Sequence, residues 1–284
     1  ILNVTRLANS PVLIDSRLHP HADLIEEIAA RNGKAVHYAD ELVRDARVNG
    51  PTYATERLSS IDALDIAVLQ YSSGSSGQPK GVRLTHRNII ANVKAQLEFS
   101  QATRDDVLCT WLPYFHDFGL FWGHIFPIYH GIKQVRLDPG HFARRPLVWL
   151  DKLHEHRATL TNSTPTALKH LIDYIELKQR KAPVGPYDLS SLRALHVGAE
   201  MINPADCRMA IQLLSPFGID ATLIQGGYGL TETTVVATAC QIGTPFRTRV
   251  VDRSILVSSG EVVEVTPEHP NAAEFASVGR ALPY

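Results

Sequence analysis

Residues 66–86 read Ile-Ala-Val-Leu-Gln-Tyr-Ser-Ser-Gly-Ser-Ser-Gly-Gln-Pro-Lys-Gly-Val-Arg-Leu-Thr-His, and the architecture follows from how this stretch is read. Residues 66–71 form an apolar run with the make-up of a buried strand, and after His86 the chain takes up helical periodicity over 88–99. Between them lies a loop suited to an anion. Gly74, Gly77 and Gly81 let successive backbone N–H groups converge. Ser72, Ser73, Ser75 and Ser76 add hydroxyl donors, and Lys80 adds a full positive charge. Phosphate groups require that combination. The P-loop of NTPases places its lysine directly after the second loop glycine and follows it with serine or threonine. Here Gln78 and Pro79 intervene before Lys80, and Gly81 follows, so the loop is a phosphate cradle of another kind. A flexible glycine-serine linker has a similar composition, but linkers seldom join a buried strand to an amphipathic helix and seldom carry Pro-Lys-Gly.

From Ile66 to Leu223 short apolar runs alternate with segments of helical period, the signature of βαβ units. The fold class read from this is α/β, a mostly parallel sheet flanked by helices. Expected strands are 35–38, 66–71, 134–137, 159–161, 194–197 and 222–224, and expected helices are 22–31, 88–99, 147–156, 166–179 and 204–214. Two helices open on a cap followed by proline, Thr164-Pro165 and Asn203-Pro204. In the helix after Thr85, the residues Ile89, Ile90, Val93 and Leu97 share a face that is expected to pack on the sheet. Beyond Gly243 the pattern changes to short strands with turn signals such as Ser258-Ser259-Gly260. The expected division is 1–59 as the tail of a βα subdomain, 60–242 as the central α/β region, and 243–284 as the start of a small β-rich part.

The 284 residues carry a formal net charge of -1 with both signs interspersed, which speaks against nucleic acid as a partner. Cys109, Cys207 and Cys240 are far apart and form no CxxC, so neither a disulfide framework nor a structural zinc site is expected, and a reducing, cytoplasmic setting is. His19/His21 and His154/His156 are two residues apart and would point apart on a helix, and HExxH is absent, which disfavours a zinc enzyme. The longest uncharged apolar stretch, 118–132, is interrupted by His124, Pro127 and His130 and falls short of the roughly 20 residues of a membrane span. The sequence opens with neither Met nor a signal pattern, so it is expected to begin inside a larger protein.

Three further segments carry chemistry. Gly226-Gly-Tyr-Gly-Leu-Thr-Glu232 follows the expected strand 222–224, at the carboxyl end where open parallel sheets hold ligands. Gly226, Gly227 and Gly229 allow backbone to approach a planar base, Tyr228 offers a stacking face, Thr231 a hydroxyl, and Glu232 a hard oxygen ligand for Mg²⁺. Taken alone, a glycine-rich turn with an exposed glutamate accounts for the segment equally well; the phosphate loop tips the balance. Trp111-Leu-Pro-Tyr-Phe-His-Asp-Phe-Gly-Leu120 sets His116 beside Asp117, a pair that by itself is more often a polar turn than a dyad. Val197-Gly198-Ala199-Glu200 is the third.

Together these residues carry a resemblance. Residues 71–82, YSSGSSGQPKGV, resemble the phosphate loop of the adenylate-forming superfamily of acyl-CoA ligases, luciferases and nonribosomal peptide adenylation domains. Ser76 and Ser72 stand where threonine is usual and keep the hydroxyl. The segment ending in Tyr228-Gly-Leu-Thr-Glu232 resembles the superfamily's YGxTE motif, which implies that Tyr228 stacks on adenine, Thr231 contacts the α-phosphate and Glu232 holds Mg²⁺. The Trp111 segment is similar to the WLPxxHDxGL of fatty-acyl-AMP ligases, which implies that His116 lies beside the acyl pocket and the adenylate. Amino-acid-activating domains usually place an FDxS-like segment here, whose aspartate holds the amine; without that arrangement after Phe115, the resemblance implies a substrate lacking an amine. Gly198, Ala199 and Glu200 resemble the adenine-side GAE segment, with Met201 where proline is usual.

The implied activity is attack by a carboxylic acid on the α-phosphate of ATP, giving acyl-AMP and pyrophosphate. Transfer to the thiol of an acyl carrier protein or coenzyme A would follow, in lipid, polyketide or nonribosomal peptide biosynthesis. Ser72, Ser73, Gly74, Ser75, Ser76, Gly77 and Lys80 would hold the distal phosphates, with His116, Thr231, Glu232 and Lys80 as the catalytic set, and ATP and Mg²⁺ as cofactors. A coenzyme A ligase, an amino-acid-activating domain and a non-catalytic nucleotide-binding module remain alternatives. The resemblance covers roughly residues 60 to 284. The family continues with a TGD-type motif, a hinge and a mobile domain with a catalytic lysine, none of which follows Ser277-Val-Gly-Arg280. The sequence is therefore expected to be truncated at both ends, and alone to bind ATP but adenylate poorly, without that lysine to neutralise charge at the α-phosphate.

Overall fold

The computed structural model describes residues 12–14, 16–49, 60–72 and 80–283. The chain forms two compact units, Ile1–Arg87 and Asn88–Tyr284, whereas the sequence pattern sets its divisions at 59/60 and 242/243. In the first unit β1 (Val12–Ile14) and β2 (Val36–Tyr38) pair in parallel across α1 (Ala22–Arg31), which buries Ile25 and Ala29; α2 (Ala39–Asn49) follows. The strand 66–71 is present as β3 (Ile66–Ser72), but it is not the buried strand expected, since Ile66 and Leu69 are exposed, and it does not lead straight to a helix. It pairs antiparallel with β4 (Lys80–Thr85), from Ile66↔Thr85 to Ser72↔Lys80. Val82-Arg83-Leu84-Thr85 alternates apolar and polar side chains, the period of a strand, and turns Leu84 inward. The phosphate loop is thus the connection of a two-stranded ribbon. Its residues Ser73, Gly74, Ser75, Ser76 and Gly77 lie outside the described residues.

The second unit is organised on a seven-stranded sheet. After α3 (His86–Ser100) come β5 (Val107–Thr110), a π-helical stretch (Phe118–Ile125) that runs on into α4 (Phe126–His130), and β6 (Lys133–Arg136). Then follow α5 (Pro139–Arg144), α6 (Leu147–Glu155), β7 (Leu160–Ser163), α7 (Pro165–Gln179), β8 (Ala194–Val197), α8 (Pro204–Leu214), β9 (Ile224–Tyr228) and β10 (Thr238–Ala239). β11 (Thr248–Asp252) and β12 (Ala272–Ala276) form a separate antiparallel pair around α9 (Arg253–Ser259), and β13 (Arg280–Ala281) returns to the large sheet. The order is β13-β10-β9-β8-β7-β5-β6, parallel from β6 to β9 and antiparallel at β10 and β13. Every residue of β7 and β8 is buried, as strands covered on both faces should be. Among the described residues no helix is long and apolar enough to cross a membrane.

Aromatic side chains fill the core beside the sheet. Trp122 stacks on Phe126 at 4.7 Å and meets His196 edge-on at 4.6 Å, and Trp149 donates its indole N–H to Thr161 Oγ1 at 2.9 Å, fixing α6 on β7. Each such ring contributes about 1.5–3 kcal/mol by burial. The cap-and-proline starts of α7 and α8 are present, with Thr164 accepting from Ala167 N and Asn203 from Ala205 N.

Four expectations are corrected. β9 lies at Ile224–Tyr228 rather than 222–224, so Gly226 and Gly227 are strand residues, not loop. β5, a run of only four residues between Asp106 and Trp111, is a strand beyond those expected. The inward face of α3 is Asn92, Val93, Ala95, Gln96 and Ser100; Ile90 is exposed, and Ile89 and Leu97 are only half-buried. The polar pair turns in because it is bonded: Asn92 Nδ2 donates to Thr233 O at 3.0 Å and Val236 O at 2.8 Å, and Gln96 Nε2 donates to Asn92 Oδ1 at 2.6 Å. Ser258 and Ser259 are the last residues of α9, which Asp252 caps at its start by accepting from Ser254 N and Ile255 N, so the turn is made by left-handed Gly260 alone.

Candidate active site

Because β5, β7, β8 and β9 are parallel, their carboxyl ends share one rim. β6 lies on one side of β5 and β7 on the other, so the connections after β5 and β7 diverge and open a crevice of the kind where α/β sheets bind ligands. The segments holding His116, Glu200 and Thr231 leave from that rim, after β5, β8 and β9 respectively.

Asp117 joins two of them. Its Oδ2 accepts from Thr231 Oγ1 at 2.9 Å, across 114 residues of sequence, and its Oδ1 accepts from Phe118 N at 2.6 Å and lies 2.9 Å from His116 Nδ1. The Phe118 amide donates to Oδ1 at 2.6 Å and reaches Nδ1 only at 3.2 Å; when Nδ1 carries the proton, as it does in the charged ring, it donates to Oδ1. The bond to Asp117 makes His116 more basic than an ordinary histidine; partial burial opposes this, and the charges of Asp117 and Glu200 add to it. The ring is half-exposed and Asp117 nearly buried.

The turn after β9 is held from several sides. Gly229 has no room for a side chain, since a Cβ there would lie 1.5 Å from Val235 O. Thr231, Glu232 and Thr233 form a single helical turn, and Thr234 closes it at φ 73°, ψ -59°, a strained γ-turn geometry for a β-branched residue. The buried Asn92 amide, bonded to the carbonyls of Thr233 and Val236, brackets that residue. Tyr228 ends β9 with its ring exposed, and Glu232 is exposed on the turn. Gly198 lies against the same strand, where a Cβ would come within 2.9 Å of Gly227 O, and Ala199 is left-handed at φ 71°. Glu200 Oε2 accepts from Thr166 N at 3.0 Å and Thr166 Oγ1 at 2.5 Å, tying the segment after β8 to the start of α7.

Among the sequence-derived site residues, His116, Thr231, Gly198, Ala199, Glu200, Gly226, Gly227, Tyr228, Gly229 and Glu232 therefore gather in the second unit. Ser72 and Lys80 belong to the first unit, where they are cross-strand partners and Lys80 is exposed. Sequence reasoning gave no role to Asp117, although it stands in the quoted motif, and passed over Asn92 and Thr166. Asn92 carries no signal, because a polar residue at its position reads as solvated.

The AMP-binding enzyme family profile matches residues 4–283. The chain belongs to the AMP-binding enzyme family. A medium-chain-fatty-acid–[acyl-carrier-protein] ligase, JamA, of Moorena producens is 33% identical over 215 residues, 76% of this chain and 36% of that protein. A long-chain-fatty-acid–AMP ligase, FadD32, of Mycolicibacterium smegmatis is 33% identical over 220 residues, 77% of this chain and 35% of that protein. A structure from work on fatty acyl-adenylate ligases of E. coli and L. pneumophila superimposes with a TM-score of 0.81 at 27% identity, covering 99% of this chain and 50% of that one. The chain thus spans just over a third of the length of these two curated relatives. AMP-binding enzymes use ATP as substrate.

Proposed function

We propose that the protein carrying this chain activates a carboxylic acid without an amine, a fatty acid first among them, by adenylation. The acid's carboxylate attacks the α-phosphate of ATP, the bond to the β-phosphate oxygen breaks, and pyrophosphate leaves. The acyl-adenylate then passes its acyl group to a thiol, that of an acyl carrier protein before that of coenzyme A. The observation that supports this best is the 2.9 Å bond between Thr231 and Asp117, which ties the segment of His116, read as acyl-side, to that of Thr231, read as phosphate-side. Both oxygens of Asp117 are engaged by protein groups, which favours a substrate that brings no ammonium for it to hold.

In this reading the exposed Tyr228 ring stacks on adenine, the Gly198-Ala199-Glu200 segment lies at its edge, and Thr231 meets the α-phosphate. Lys80 and the loop hydroxyls and amides, from Ser72 to Gly77, hold the β- and γ-phosphates. Glu232 suits Mg²⁺, because that ion takes one or two carboxylates and completes its shell with phosphate oxygens and water. When bound, the ion would neutralise phosphate charge. The reaction brings anions together, so positioning and electrostatics supply most of the rate.

Pyrophosphate exchange into ATP, measured with a panel of fatty, aromatic and amino acids, tests the proposal. Exchange driven by fatty acids is the expected result. Exchange driven only by amino acids overturns the substrate class, and none with any acid overturns adenylation. Supplying holo carrier protein or coenzyme A then separates the acceptors.

A further inference from the structure

We propose that Asp117 is a positioning residue: anchored by the Thr231 hydroxyl and the Phe118 amide, its carboxylate grips His116 through Nδ1 and so presents Nε2 as a donor to the carboxylate of the substrate acid. The inference rests on the adenylation reading and extends it to how the acid is oriented.

The geometry runs as a chain of three contacts. Thr231 Oγ1 reaches Oδ2 at 2.9 Å, Phe118 N reaches Oδ1 at 2.6 Å, and His116 Nδ1 reaches Oδ1 at 2.9 Å. The first two fix both oxygens of a carboxylate that is only 12% exposed, so the third fixes the ring. A histidine whose Nδ1–H is claimed by a carboxylate has its remaining nitrogen defined in direction and, when charged, in proton content. Thr231 has one hydroxyl proton, and it goes to Asp117. To donate to a phosphate oxygen the hydroxyl must turn away from Oδ2, so the nucleotide and the Asp117 carboxylate compete for that one proton. The acyl and phosphate sides of the site are then coupled through one side chain.

Two charged groups face His116, Asp117 from its own segment and Glu200 from the segment after β8, and both favour the imidazolium. The charged ring is fully present below the ordinary histidine pKa and is lost as pH rises through the raised folded value. In Asp117→Asn that loss should begin at lower pH. Asparagine caps the Phe118 amide as well as aspartate does, so this variant keeps the local fold while removing the charge.

The experiment follows the His116 ring proton by NMR titration in the chain and in Asp117→Asn, and measures the exchange reaction of the full-length protein and its Asp117→Asn variant against acid and ATP separately. The midpoint of His116 is expected to fall in the variant. The KM for the acid should rise about tenfold near neutral pH and recover on acidification, with the KM for ATP within about twofold. An unchanged His116 midpoint overturns the pairing whether or not the protein turns over, and so does a rise confined to the KM for ATP. A falling midpoint without exchange by any acid supports the pairing and tells instead against adenylation.

Discussion

The ribbon β3–β4 and the turn after β9, both proposed to hold the nucleotide, are held by different forces. In the ribbon, cross-strand pairing sets Ser72 opposite Lys80, the lysine is exposed, and a Cβ on Gly81 would meet only the ends of Leu69 and Tyr71 at 3.2 and 3.3 Å. In the turn, Gly229 lies against the backbone of Val235, Thr234 is strained, Asn92 brackets it from inside, and Asp117 takes the Thr231 hydroxyl. One segment supplies charge from a solvated position and the other supplies geometry from a packed one. Substitutions should therefore separate binding from stability in the first and fail to separate them in the second.

Gly229→Ala should destabilise the second unit by more than about 3 kcal/mol in urea unfolding, since a backbone carbonyl cannot swing aside as a side chain can. A loss below about 1 kcal/mol would remove the contrast with the ribbon. Asn92→Ala should cost about 2–3 kcal/mol by withdrawing the donor from two carbonyls, and should weaken ATP binding by calorimetry because the Glu232 turn loses its support. His196 tests the packed region by pH. Burial pushes its imidazole down to about 3, so the unfolded chain takes up a proton near pH 6.5 that the folded chain refuses. Stability is complete above that pH and falls on acidification, and between pH 7 and 5 the wild type should lose about 2 kcal/mol more than His196→Phe. In the ribbon, Lys80→Ala should leave stability within about 0.5 kcal/mol while weakening ATP binding about tenfold, and Gly81→Ala should fall in the same small range of stability.

Much of the scaffold was legible because local chemistry and tertiary structure agree there. The strand at Ala194–Val197 and the helices Ala22–Arg31 and Pro204–Leu214 have the expected bounds, the last because Asn203 and Pro204 make an unambiguous start. The hidden parts are those where a distant partner overrides the local pattern. Asn92 and Gln96 look like a solvated helix face until the carbonyls of Thr233 and Val236 are brought to them. β4 was hidden by Pro79-Lys80-Gly81, which reads as loop although the following residues alternate. The site motifs were found as separate segments, but the bond from Asp117 to Thr231, spanning 114 residues, could not be read from either.

Trp122, stacked on Phe126, also lies edge-on to His196. A charged imidazole draws an electron from excited indole far more readily than a neutral one does. While the fold keeps His196 uncharged that route is closed, so emission from this indole should dim as the interior first admits a proton. The molecule thus carries its own optical gauge of whether the layer around His196 is still sealed.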